Sequence, residues 1–209
     1  VIALGAFLRF YQITTIPLGL YPDEAMNGNN ALEALNAAPP AGGFKVFYPE
    51  NNGREGLFIN IQALSIAAFG NTPWALRIVS ALIGTLTILG MYLVARELFR
   101  SRPVGLLASF FLATSYWHLN FSRIGFRAIM LPLFATFGIY FLLRGLRTGK
   151  PIHLIAAGIL TGLGVHTYIA FRFMVFVFAV PVVHALWRGR KAGKTAVAAG
   201  SVAIYAAAA

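Results

Sequence analysis

The chain has no cysteine and very little negative charge: six Asp and Glu among 209 residues, against 17 Lys and Arg. The first absence excludes disulfides, thiolate metal sites and a cysteine nucleophile. The second is part of a wider scarcity of charge. Charged residues make up 11%, where soluble domains carry about 25%. Apolar residues fill the space, at 58% of the chain and a mean hydropathy of +0.73. Long apolar runs alternate with short basic clusters. A bilayer span needs about 20 apolar residues in a helix, so the pattern predicts an all-α polytopic membrane protein. The formal net charge of +11 then points to anionic lipid headgroups and not to nucleic acid.

The runs predict where the elements lie. Residues 1 to about 11 read as the end of a first span. Val1 is not a start methionine and the chain stops in "AIYAAAA", so a fragment of a longer protein is expected. Residues 12–55 are polar, with an amphipathic helix over 23–37 and a loop at Pro39-Pro40 and Gly42-Gly43. The run 57–69 is apolar but too short to span comfortably, and Gly70-Asn71-Thr72-Pro73 breaks it. Spans follow at 74–95, 104–120, 126–143, 152–168 and 172–187, and another begins near 195. Gly158 and Gly162 have the small-xxx-small spacing of closely packed helices.

Arg96, Arg100 and Arg102, then Arg144, Arg147 and Lys150, then Arg188, Arg190, Lys191 and Lys194 follow alternate spans. Those ten of 17 basic residues fall on one side, which the positive-inside bias makes cytoplasmic. Residues 12–55 would therefore face outward, and they hold five of the six acids: Asp23, Glu24, Glu33, Glu50 and Glu55. The sixth, Glu97, sits among arginines and reads as a solvated local ion pair.

Asp23 and Glu24 stand in "YPDEA" and Glu55 in "NNGREGLF". Each has two readings. Acids at a helix start cap it and complement its dipole. A carboxylate just outside the membrane can also take a proton from a hydroxyl or hold a hard cation. Glu33 and Glu50 read as solvated. Arg123, Arg127 and Arg172 are predicted at the outer surface, where a single arginine snorkels or meets lipid phosphate. Arg123 and Arg127, four residues apart, share a face if one helix carries both. Two adjacent guanidiniums need an anion between them, and phosphate suits their fork. His118, His166, Tyr116, Trp117 and Tyr168 fall at outer span ends, as an aromatic belt does. No metal-binding histidine spacing is present.

"YPDEA", "REGLFINIQALSIAAFG" with "PWALRIVSALIGTLTILGMYLVAREL", "SYWHLNFSRIGFRAIMLPL" and "GVHTYIAFRF", in this order, cover nearly the whole chain. Together they resemble the N-terminal half of bacterial glycosyltransferases of the GT-C fold, relatives of dolichyl-phosphate-mannose protein mannosyltransferases and lipid A aminoarabinose transferases. The resemblance implies a GT-C-like helix bundle with outer juxtamembrane helices. Residues 1–209 would be a single transmembrane domain, the N-terminal part of a longer module, with 12–72 as its extracytoplasmic loop. It implies that Asp23 is the catalytic base with Glu24 beside it, and that Glu55 completes the site. Asp23 and Glu55 would hold any divalent cation (Mg, Mn or Ca). Arg123, Arg127 and Arg172 would bind the phosphate of a polyprenyl-phosphate sugar donor. Many relatives carry Pro-Pro where this chain has Gly56-Leu57. The implied setting is a bacterial inner membrane. The competing readings are a non-catalytic subunit of the same fold in a larger membrane complex, and a transporter. Against the transporter, no ionisable residue is predicted at mid-membrane.

Overall fold

The computed structural model describes residues 1–38, 42–50, 53–193 and 195–209. The predicted turn at Pro39-Pro40 and the basic residue Lys194 lie outside the described residues, as do Asn51 and Asn52. Among the described residues, ten helices run in order: α1 (Ile2–Phe10), α2 (Pro22–Asn36), α3 (Gly56–Phe69), α4 (Pro73–Phe99), α5 (Arg102–Thr114), α6 (Tyr116–Arg123), α7 (Met130–Thr148), α8 (Pro151–Val165), α9 (Met174–Lys191) and α10 (Thr195–Ala208). Single 3-10 turns, Arg127–Ile129 and Ile169–Phe173, lead into α7 and α9. The fold is all-α and GT-C-like.

Among the described residues, three stretches are long and apolar enough to cross a membrane: Pro73–Phe99, Arg127–Thr148 and Ile169–Lys191. Helices α3, α5, α8 and α10 are apolar but shorter. The predicted span over 104–120 is not one helix. The chain turns extended at Ser115 (φ −61°, ψ 123°), so α5 stops and α6 starts in a new direction. Likewise Ile124 leaves the helix at φ −113°, ψ 150°, which separates Arg123 from Arg127. The shared helix face expected for that pair does not form.

Two hydrophobic clusters hold these elements. The larger joins α4, α7, α8 and α9 through Val79, Ile83, Phe134, Leu142, Leu154 and Phe178. Gly158 and Gly162 leave room for α10: a Cβ on Gly158 would lie 2.6 Å from the Tyr205 carbonyl oxygen. The smaller cluster, with Ala31, Tyr48, Ile59, Ala63 and Leu76, docks α2 and α3 on the start of α4. It anchors the polar segment on the bundle.

A two-residue ribbon that the helical reading did not anticipate completes the outer segment. Strands β1 (Phe47–Tyr48) and β2 (Arg54–Glu55) pair antiparallel, Tyr48 opposite Arg54. The buried Tyr48 hydroxyl donates to Asn60 Oδ1 (2.9 Å), and Asn60 Nδ2 donates to the Lys45 carbonyl (2.9 Å). Gly56 occupies a place that proline could not. Its N–H donates to the Val46 carbonyl (2.8 Å), a bond proline has no hydrogen to make. A Cβ there would lie 2.0 Å from the Lys45 carbonyl oxygen.

Candidate active site

The start of α2 brings Asp23 and Glu24 to different environments. Pro22 suits the first turn, where its missing N–H costs nothing. Glu24, in the third helical position, accepts the Tyr21 N–H (3.3 Å) and so performs the capping expected of an acid here. It also accepts Arg77 Nε (2.9 Å), Arg77 Nη2 (3.3 Å) and the Gly125 N–H (3.1 Å). Glu24 is fully buried and its acceptor capacity is filled. Arg77 spends its remaining donors on the carbonyls of Pro17 (2.8 Å) and Gly19. This pair ties α2, α4, the 17–19 turn and the 124–126 segment together. Asp23 is half-exposed on the same helix turn.

Arg54 is a second buried hub. Its Nη1 donates to Asn27 Oδ1 (2.7 Å) and its Nη2 to Asn30 Oδ1. Asn27 Nδ2 in turn donates to the Gly125 carbonyl (2.9 Å), and Asn30 Nδ2 to Glu50 Oε2 (3.2 Å). Burial first, and then the neighbouring Arg127, pull Arg54 below the ordinary guanidinium value, while Glu50 and Asp23 oppose that shift. Glu33 and Glu50, read as solvated, are half-buried and bonded, Glu33 to Lys45 at 3.0 Å.

Glu55 is the residue before α3 but makes no capping bond. Its Oε2 lies 3.3 Å from Arg127 Nε. The approach is misaligned, so both atoms are buried without a hydrogen bond among the described residues, as is Arg54 Nε. Arg127 also lies over the Tyr168 ring at 5.4 Å, and Tyr168 meets Phe126 edge-on. The turn before α7 is thus joined to the turn before α9, which carries Arg172. Arg172 is exposed.

Arg123 has a different assignment. Its guanidinium donates to the carbonyls of Leu8 (2.7 Å), Arg9 (3.1 Å), Tyr11 (2.8 Å) and Ile16 (3.0 Å). It clasps the chain leaving α1. His118 is buried and bonded through Nδ1 to Arg9 Nη2 (2.7 Å); Arg9 reaches Ser122 Oγ (3.2 Å) as well. This is an internal polar joint between α1 and α6. Among the described residues, no three His, Cys, Asp or Glu gather to hold a metal ion. Asp23 and Glu55 offer a cation two carboxylates, and a guanidinium already faces one of them. The site fits a divalent cation poorly.

The sequence reading missed Arg9, Arg54 and Arg77, all fully buried or nearly so. A signal was present. Seven basic residues lie off the basic end, and a buried arginine must find carboxylates or carbonyls.

Fold and site define an all-α polytopic membrane protein of GT-C type, with a carboxylate and guanidinium centre at one end of the bundle. The sequence model of a family described as dolichyl-phosphate-mannose-protein mannosyltransferase matches residues 57–209, and the chain belongs to that family. The match takes in Arg77, Arg123, Arg127 and Arg172 and begins just after Glu55. A relative from Bacillus subtilis (strain 168), "Putative mannosyltransferase YkcB", is 29% identical over 115 residues. That alignment covers 55% of this chain and 16% of the relative, so the chain spans a small part of that protein's length. No solved structure matches the chain.

Proposed function

We propose that the chain is the N-terminal, site-bearing part of a membrane glycosyltransferase. It moves a sugar from a polyprenyl-phosphate-linked donor to an acceptor hydroxyl or amine on the extracytoplasmic side of a bacterial inner membrane. The family supports glycosyl transfer from a lipid-phosphate donor. The ten basic residues that follow alternate apolar runs in the sequence support the orientation.

The observation that carries the mechanism is the division of labour between adjacent acids. Glu24 is buried and saturated, while Asp23 is half-exposed beside it on the same rigid turn. Asp23 is the base. It takes the acceptor's proton as the acceptor oxygen or nitrogen attacks the anomeric carbon. The bond from that carbon to the phosphate oxygen breaks, and the lipid phosphate leaves with the electron pair. Arg127 meets the growing negative charge with donors that Glu55 leaves unsatisfied, and exposed Arg172 adds a second guanidinium. Glu55 holds Arg127 in place. Arg123 acts as a positioning residue through its four carbonyls.

Asp23→Asn in the full-length protein tests this. A general base contributes roughly 10²–10⁴-fold, so transfer should fall by that much with donor binding and thermal unfolding unchanged. Transfer near the parent rate overturns the assignment. A full-length parent that binds donor lipid but shows no transfer to any acceptor favours the non-catalytic subunit.

A further inference from the structure

Helix α4 runs from Arg77 at the carboxylate site to Arg96 at the basic end, roughly 30 Å at 1.5 Å per residue. There the chain makes a second, unrelated concavity. A cleft of about 420 Å³ is lined by Arg96, Glu97, Arg100, Arg102, Arg144 and Arg147. Its geometry comes from a backbone device. Arg100 ends α4 in the left-handed conformation, φ 55° and ψ 29°, which is costly for any residue but glycine. The chain reverses there, and Arg102, the first residue of α5, joins Arg96 in the cleft wall.

Five guanidiniums face one carboxylate. Arg147 is committed to Glu97 (2.5 and 3.1 Å), an ion pair that joins α4 to α7 and is not the local pair the sequence suggested. Arg144 donates to the Tyr140 hydroxyl (2.8 Å) and His153 Nε2 (3.2 Å). Arg96 lies over the Tyr92 ring at 5.9 Å. The side chains of Arg96, Arg100 and Arg102 make no hydrogen bond to any described residue. The positive-inside bias explains basic residues anywhere at this end. It does not explain three guanidiniums without hydrogen bonds among the described residues lining one hollow, since Lys150, Arg190 and Lys191 satisfy the same bias outside it.

The cleft opens into an apolar groove. About 1,210 Å³ lies between α4, α7, α9 and α10, walled by Leu98, Leu143, Leu146, Val177, Val180 and Val197. The two spaces share Glu97, Arg100 and Arg147. The groove is larger than the roughly 300–1,000 Å³ of a drug-sized ligand site. A cationic head joined to an apolar trough has the charge and polarity pattern of one molecule class. We propose that this is a binding site for an anionic phospholipid of the leaflet at the basic end. Its headgroup phosphate lies among Arg96, Arg100 and Arg102, and an acyl chain lies in the groove. The lipid bridges the α4–α5 turn to α7, α9 and α10. It is separate from the donor site, which lies at the other end of α4.

The test uses delipidated full-length protein in detergent, titrated with phosphatidylglycerol, with phosphatidylcholine of the same chains, and with inorganic phosphate, and read by native mass spectrometry. Phosphatidylglycerol should bind at least tenfold more tightly than phosphatidylcholine. The triple variant Arg96→Gln, Arg100→Gln, Arg102→Gln should lose at least tenfold of that affinity, because one basic side chain near an anionic surface is worth about fivefold. The charge-matched triple Lys150→Gln, Arg190→Gln, Lys191→Gln should stay within about threefold of the parent. Val180→Trp, which fills the groove, should weaken phosphatidylglycerol. The Arg→Lys triple keeps the charge and serves as the folded control, with binding partly restored. Equal loss in both Gln triples overturns the proposal, since it means generic attraction. Equal binding of the two lipids, or displacement of phosphatidylglycerol by equimolar inorganic phosphate, overturns it too.

Discussion

Arg77 and Glu24 form an ion pair, Nε to Oε1 at 2.9 Å, with 2% and 0% of their side-chain surfaces exposed. Two charges are stable in such a place only when all their hydrogen-bonding capacity is met. Here the Tyr21 and Gly125 N–H groups and the Pro17 and Gly19 carbonyls meet it. The pair therefore acts as a structural rivet under Asp23. Removing one partner leaves the other charge buried and alone, which costs about 3–5 kcal/mol. Arg77→Leu and Glu24→Gln should each lower the midpoint of thermal unfolding in detergent. Asp23→Asn should not. A Glu24→Gln protein as stable as the parent but inactive would transfer the base assignment to Glu24.

Gly125 sits where the 124–126 segment passes closest to that pair. A Cβ there would lie 2.8 Å from Gln62 Nε2 and 2.9 Å from Glu24 Cγ. Both neighbours are buried and hydrogen-bonded, so neither has room to yield. Overpacking of this kind costs about 1–3 kcal/mol. Gly125→Ala should lower the unfolding midpoint and reduce transfer together, because the Glu24 shelf beneath Asp23 moves. Unchanged stability and unchanged transfer would mean that the segment adapts freely.

Much of this was legible in the sequence because hydrophobic runs and breaker residues act locally. The Gly70–Pro73 break, the basic ends of α4, α7 and α9, and the short apolar helix after Glu55 all lie where the residues put them. The carboxylates and Arg127, Arg172 were legible as candidates because charge is rare in this chain. What pairs with what was not. Arg77 finds Glu24 across 53 positions and Arg123 finds the carbonyls of α1 across more than 100, choices that only tertiary packing makes. The helix break at Ser115 has no Gly or Pro beside it, so no local signal announced it, whereas the break at Ile124 stands next to Gly125 and falls between the two predicted spans.

The orientation is open to a direct measurement, because the 209-residue chain has no cysteine of its own. Val46→Cys places a thiol on an exposed residue of the acidic segment, and Lys150→Cys one at the basic end. In intact cells a membrane-impermeant maleimide should label position 46 and label position 150 only after lysis. The reverse pattern would put Asp23 in the cytoplasm and overturn the proposed site of transfer.

The three outer arginines should separate by kinetics. Arg123 donates to four carbonyls of residues 8–16, and removing it frees the chain after α1. Arg123→Gln should therefore lower the unfolding midpoint and leave the KM for donor lipid within about threefold. Arg127 has an unsatisfied Nε against Glu55, and Arg172 is exposed on the neighbouring turn. A lipid phosphate is charged before reaction and gains charge as the sugar departs, so these two should assist both binding and leaving. Arg127→Gln should raise KM and also lower kcat, the signature of a group that acts in the ground state and more strongly in the transition state. Arg127→Lys keeps the charge but loses the planar fork and the stacking on Tyr168, so it should rescue only part. Glu55→Gln adds a control, since it removes the group that holds Arg127 while leaving the guanidinium in place. It should move the same constants by less. If Arg127→Gln binds and transfers like the parent while Arg123→Gln loses donor affinity, the phosphate lies on the α1 side of the site and the two arginines exchange roles.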